Sequence, residues 1–224
     1  MKSQVLLLGA LTTLTLGSIA TPSYAIALID NSPATNDNLS STISSTANTA
    51  VSFTIPAGSD YILNAVVLRL GAYAATGDTP VLTIRQNSVL GTNPSSTVLA
   101  NFTNPAGQGA LTTAYTFTPT TSFKFLANTK YWLYLSASAG SFTWRGSNDG
   151  TTNTPSGIAT FGAYRQTANG GTTFSAGTNF NTFAVGATPV PWETSDAVLP
   201  LGIICFGLIA GGKRFLALKK SQKS

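Results

Sequence analysis

The sequence predicts an all-β domain, a two-sheet sandwich of jelly-roll type, flanked by an N-terminal signal peptide and a single C-terminal transmembrane helix. Three observations carry this. From residue 50 onward, short segments with period-two alternation recur between clusters of Gly, Pro, Asn and Asp. Only 8% of the residues are charged while Thr, Ser, Gly and Asn abound, which suits strands with polar, uncharged outer faces. Each end of the chain carries an apolar run with targeting-type flanks. Between the runs lie about 165 residues, enough for one domain that buries roughly 70% of its unfolded surface.

In chain order, Lys2, the apolar stretch 5–19 and Ser23-Tyr24-Ala25 form the positive start, apolar centre and small-residue cleavage site of a signal peptide. Cleavage by signal peptidase after Ala25 satisfies the small-x-small rule, and cleavage after Ala27 does so too. Thr12, Thr13 and Thr15 dilute the run and Pro22 ends it, which favours a cleaved peptide over an anchor helix. Residues 26–49 are a Ser-, Thr- and Asn-rich lead-in, either an edge strand plus loop or partly disordered.

The sandwich domain is expected over 50–188. Segment 51–55 alternates and stops at Pro56-Ala57-Gly58. In 61–70, Val66, Leu68 and Leu70 share one face, with Ala65, Val67 and Arg69 on the other. Further strands are expected at 81–86, 97–102, 113–117, 123–126, 131–135, 141–145, 158–164 and 180–185. Leu68, Ile84, Leu133 and Leu135 are the expected inward-facing core, with Trp132 and Tyr134 on the opposite face. No fixed-period repeat points to a solenoid or propeller.

Residues 52–146 carry a further ordered set of features. These are Tyr61-Ile62-Leu63-Asn64-Ala65-Val66-Val67-Leu68-Arg69-Leu70-Gly71, the strand at 81–85, then Thr97-Val98-Leu99-Ala100-Asn101-Phe102, Tyr115-Thr116-Phe117 and Leu126-Ala127-Asn128-Thr129-Lys130-Tyr131-Trp132-Leu133. Together they resemble the choice-of-anchor R domain of exported bacterial proteins, over a little under half the chain. The resemblance implies a surface module and supplies no catalytic residues.

The C-terminal segment 189–224 contains Val190, Pro191, Trp192 and Glu193, the uncharged run 197–212 and a tail with Lys213, Arg214, Lys219, Lys220 and Lys223. Sixteen helical residues reach about 24 Å at ~1.5 Å each, short of the ~30 Å hydrocarbon core. Residues 215–218 lengthen the span if Lys213 and Arg214 snorkel past it. The basic tail is expected to stay cytoplasmic. Short polar motif, one span and basic tail resemble the PEP-CTERM sorting signal, in the Val-Pro-Trp-Glu form of the cyanobacterial variant. Thr194 stands where a second proline would complete Pro-Glu-Pro. The resemblance implies recognition of Val190, Pro191, Trp192 and Glu193 by an exosortase-like membrane protease, after transient membrane insertion. The plain alternative is a permanent C-terminal anchor.

Signal and tail together place residues 26–196 outside the cell, surface-bound or released. This accounts for the net charge of +5, because between Ile26 and Pro191 six bases stand against five aspartates. The remainder of +1 gives no reason to expect nucleic acid. The only cysteine, Cys205, falls in the apolar run, so the exported part has no disulfide and depends on its core.

Chemistry-bearing residues are sparse. The chain has no histidine, which excludes a Ser-His-Asp triad or a histidine metal site. The exported part has scattered aspartates and no glutamate before Glu193, so paired carboxylates are not expected. Asp149, in Ser147-Asn148-Asp149-Gly150, suits a turn better than a calcium ligand. No cofactor, metal or enzymatic activity is expected. Trp132 and Tyr134, with Trp144 and Arg145 on an expected neighbouring strand, form a candidate glycan-binding set, since flat aromatic faces beside polar donors recognise sugars. Three readings follow: a structural or adhesive protein of the envelope or extracellular matrix, a carbohydrate-binding module for extracellular polysaccharide, and, least favoured, an enzyme.

Overall fold

The computed structural model describes residues 25–32, 37–74, 76–107, 109–148 and 153–191. Most of the expected signal peptide, Asp149, Trp192, Glu193, the run 197–212 with Cys205, and the basic tail lie outside them. The described residues form strands β1 (Ile26–Asp30), β2 (Leu39–Ile43), β3 (Asn48–Thr54), β4 (Tyr61–Gly71), β5 (Thr79–Asn87), β6 (Pro94–Thr103), β7 (Thr113–Pro119) and β8 (Lys124–Phe125). They continue with β9 (Lys130–Ala139), β10 (Phe142–Ser147), β11 (Ser156–Gly157), β12 (Thr160–Thr167), β13 (Ser175–Ala176), β14 (Phe180–Asn181) and β15 (Phe183–Pro189). Among the described residues there is no helix.

The all-β class therefore holds, and the pairing runs as one strongly curled antiparallel sheet. Its path is β11-β1-β15-β4-β7-β6-β5-β9-β3-β12-β13, with β10 branching from β4 to β2 and β14, and β8 beside β4. The expected separation into two sheets is bridged at β6 and β7, where Phe102 pairs with Pro119 and Thr103 with Thr118. Those two residue pairs are a narrow seam, and either side of it the sheet curls so that its flanks face each other.

The core fills that curl. Phe125 on β8 meets Phe53 on β3 and Tyr131 on β9 with ring centroids 5.6 and 5.0 Å apart, joining opposite flanks. Leu68, Ile84, Leu133 and Leu135 are fully buried, as the alternation predicts. Burying each such side chain stabilises by about 1.5–3 kcal/mol.

The lead-in is structured wherever it is described. β1 lies between β11 and β15, and β2 pairs with β10 through five registered positions. Leu28 and Ile29 are both fully buried despite being adjacent. A bulge between Ala27 and Ile29 turns two consecutive side chains inward, which erases the period-two signal.

Candidate functional site

The start of β1 and the end of β15, the two places where processing is expected, come out at one end of the curl. β1 and β15 are antiparallel, with Ile26 opposite Ala187, so the start of one lies beside the end of the other. Ala25 is exposed immediately before β1. β15 runs out at Pro189, opposite Tyr61 of β4. The Val190 N–H then donates to the Asp60 carbonyl (2.9 Å), the last backbone bond recorded before the chain leaves the sheet. Pro191 is exposed and has no N–H to extend a ladder. The remaining motif residues, Trp192 and Glu193, lie outside the described residues.

Asp60 organises this end. Its carboxylate accepts the Ala127 N–H at 2.9 Å and pairs with Lys124 at 3.1 Å. The Ala127 bond, then the Lys124 contact, hold its pKa below the ordinary aspartate value. The turn 126–129 is fixed by the same contacts: Asn128 has a φ of 55°, and the Leu126 N–H donates to the Tyr131 hydroxyl (2.9 Å). Asparagine tolerates this left-handed conformation better than most residues. So the 126–129 turn sits beside the point where the chain leaves the sheet.

The four aromatic-set residues are not brought together on a surface. Trp132 and Tyr134 lie on the outer face of β9, but both are buried in a small second cluster with Ala50, against Ala163 and Phe174. The Arg85 guanidinium stacks over the Tyr134 ring at 3.5 Å, and the Lys130 ammonium sits 5.3 Å from the Trp132 ring centre. Burial, above all, lowers the pKa of Arg85. The Trp132 indole N–H donates to Asn87 Oδ1 (2.8 Å), and the Tyr134 hydroxyl meets the Asn48 amide at 2.6 Å.

Trp144 belongs instead to the main core, where its indole N–H donates to the Thr182 carbonyl (2.8 Å). The expectation that Trp144 and Arg145 neighbour Trp132 on an adjacent strand is corrected: β10 pairs with β2, β4 and β14, while β9 pairs with β3 and β5. The sheet separates them because the chain changes flank between Ala139 and Phe142. A sugar stacks on an open ring face, and these faces are filled by protein groups.

Arg145 has a different partner. With Arg69 it converges on Asp37: Arg69 Nε reaches Oδ2 at 3.0 Å, Arg145 Nε lies 3.6 Å from Oδ1, and Arg145 Nη2 donates to the Asp37 carbonyl. This triad clamps the residues before β2 onto β4 and β10. Nothing in the spacing of Asp37, Arg69 and Arg145 signals it, since each comes from a different segment.

One further feature has no local signal in the sequence. The β5–β6 loop presents Val89 and Leu90 at its tip, 105% and 86% exposed. Lys130 and Arg165 hold its base through the Gly91 and Thr92 carbonyls. Val89 and Leu90 fall between the expected strands 81–86 and 97–102, and nothing local in the sequence shows that both are left exposed. Among the described residues no group of three or more acidic or sulfur ligands could hold a metal ion. No protein-family model, no curated protein and no solved structure matches the chain.

Proposed function

We propose that this chain is an exported structural or adhesive protein of the cell envelope or extracellular matrix. It reaches the surface through a membrane-inserted intermediate and is released or attached after an exosortase-like protease acts at Val190, Pro191, Trp192 and Glu193. It works by contact, through a curled sheet of the jelly-roll sandwich kind. The choice-of-anchor and PEP-CTERM resemblances support this reading.

One observation carries it further: the sheet begins and ends at the two processing junctions. Ala25 precedes β1 by one residue, Pro191 follows β15 by two, and both strands meet at the same end of the sheet. A domain tethered to one membrane through both termini needs them on one side. Five residues, 192–196, separate Pro191 from the apolar run, which places the motif within reach of a membrane-embedded protease. Proline also keeps the residue before it extended, the form in which proteases take a chain.

Intact-mass measurement of the protein from its native host tests this. The expected mature species begins after Ala25 or Ala27, ends near Glu193 and lacks Cys205. Pro191→Ala and Glu193→Ala should each leave uncut chain in the membrane fraction. A mature species that still carries residues 206–220 would make the tail an ordinary anchor and end the sorting proposal.

A further inference from the structure

We infer that the end of the curl carrying Val190 and Pro191 docks on an anionic lipid surface, with Val89, Leu90 and Leu126 entering the headgroup region and Lys130 and Arg165 beside them. The inference rests on reading 197–212 as a membrane span, and the test below lets the two fail separately.

The β5–β6 loop is built rather than loose. The Ser88 N–H donates to the Asn93 carbonyl and the Gly91 N–H to the Ser88 carbonyl, both at 2.9 Å. Gly91 takes a φ of 75°, which closes the turn. From the sheet, Lys130 Nζ donates to the Gly91 carbonyl (2.9 Å), and Arg165 Nε to the Thr92 carbonyl (3.0 Å). The Trp132 indole holds Asn87 at the loop's base. These bonds hold the turn in place, while Val89 and Leu90 are left exposed at its tip. The turn does not need two large aliphatics at its tip, and leaving both in water is unfavourable.

The charge pattern favours lipid over a second protein. Lys130 and Arg165 lie close enough that Arg165, after burial, depresses the Lys130 pKa. The three ion pairs among the described residues involve Arg69, Lys124 and Arg145, so neither Lys130 nor Arg165 is neutralised by a described carboxylate. Apolar side chains projecting beside uncompensated cations are the pattern of interfacial binding to anionic bilayers.

Position supplies the bilayer. Hydrogen bonds connect Val190 to Asp60 and Asp60 to Ala127, while Lys130, three residues on, reaches Gly91. Gln86 at the end of β5 is paired with Tyr131, so the loop springs from this same end. Leu126, 48% exposed, lies between the exit and the loop on its fixed turn. From Pro191 to Ala197 the chain spans six residue steps, at most about 20 Å when extended. While the tail is inserted, this end is thus held against the membrane. Docking would keep the motif at the protease's height and stop the domain from swinging.

The experiment uses the full chain in vesicles of phosphatidylglycerol and phosphatidylcholine that contain acyl-chain quenchers. An environment-sensitive thiol label on Cys205, the only cysteine, reports whether the tail is inserted. The same label at Leu90→Cys in a Cys205→Ser background reports docking. Ser45→Cys in that background, in the 44–47 turn at the opposite end of β3, is the reference. Docking at a depth of about 5–10 Å should quench the Leu90 label at least about twofold more than the Ser45 label. The difference should shrink in pure phosphatidylcholine. Equal quenching at the two sites overturns the docking surface, whatever Cys205 reports. A quenched Cys205 with equal Leu90 and Ser45 signals therefore sinks docking alone. An unquenched Cys205 with a quenched Leu90 sinks the span and leaves the docking surface standing.

Discussion

Tyr164 and Asn181 show how much of this fold rests on polar groups placed inside it. The Tyr164 hydroxyl donates to the Asn181 carbonyl (2.8 Å), while the Asn181 amide donates to the Trp144 carbonyl (2.8 Å) and accepts from Ser41 (3.1 Å). Burial pushes the Tyr164 pKa well above its ordinary value. Asp60, at the surface, is shifted down by its bonds to Ala127 and Lys124. The signs define a pH profile. Asp60 contributes stability above its unfolded pKa of about 3.9 and loses it as pH falls through the lower folded value. Tyr164 stays neutral in the fold, so above about pH 10 proton loss favours the unfolded chain. With no histidine, stability should be level between about pH 6 and 8. Urea midpoints followed by near-ultraviolet circular dichroism should give this plateau, with Asp60→Asn flattening the acid limb and Tyr164→Phe the alkaline one. A steep slope inside the plateau, or limbs unchanged in the variants, would contradict the assignment.

At the scale of the element, alternation made some strands legible and concealed others. β4 and β9 are long enough for period two to separate their faces, and Val66, Leu68, Leu133 and Leu135 lie inside as that period requires. β1 is five residues with a bulge, and β2 is polar except at its ends, so neither repeats a pattern for long. Aromatic residues misled for a related reason. Period two places Trp132 and Tyr134 on the outer face correctly, but cannot show that residues 163 and 174 return to cover them. The exit end was legible only in its covalent sequence, because the contacts joining Asp60, Ala127 and Val190 are long-range. The bulge in β1 makes a specific expectation. Simple alternation would leave one of Leu28→Ala and Ile29→Ala nearly neutral, whereas burial of both predicts a loss of roughly 2–5 kcal/mol for each. Denaturant titration of the two variants decides it, and a cost below about half a kcal/mol for either would mean that side chain faces out.

The whole molecule closes late in the chain. β4 lies between β15 and β7, and β1 between β11 and β15, so β15 seals both of its neighbours to each other. Phe183 and Val185, both buried, come from β15, and Asn181 just before it holds β10. Few pairings are local, and β1 must wait for a partner about 160 residues away. Non-local pairing of this kind folds slowly, in the millisecond-to-second range, because loop closure precedes the contacts that reward it. On the proposed export route, a chain emerging from its channel would leave β1 without its β15 partner until nearly all of the sheet has crossed. The consequence is testable by truncation. A chain ending at residue 179 keeps β1 to β13 but loses β14 and β15, which opens the edges of both β1 and β4 and leaves Leu28 and Leu68 without their cover. It should lack near-ultraviolet circular dichroism and be cut by proteinase K within minutes, while a chain ending at residue 191 resists. If the shorter chain resisted equally, β15 would be an addition to a sheet already complete, and closure would have to be sought at the β6–β7 seam instead.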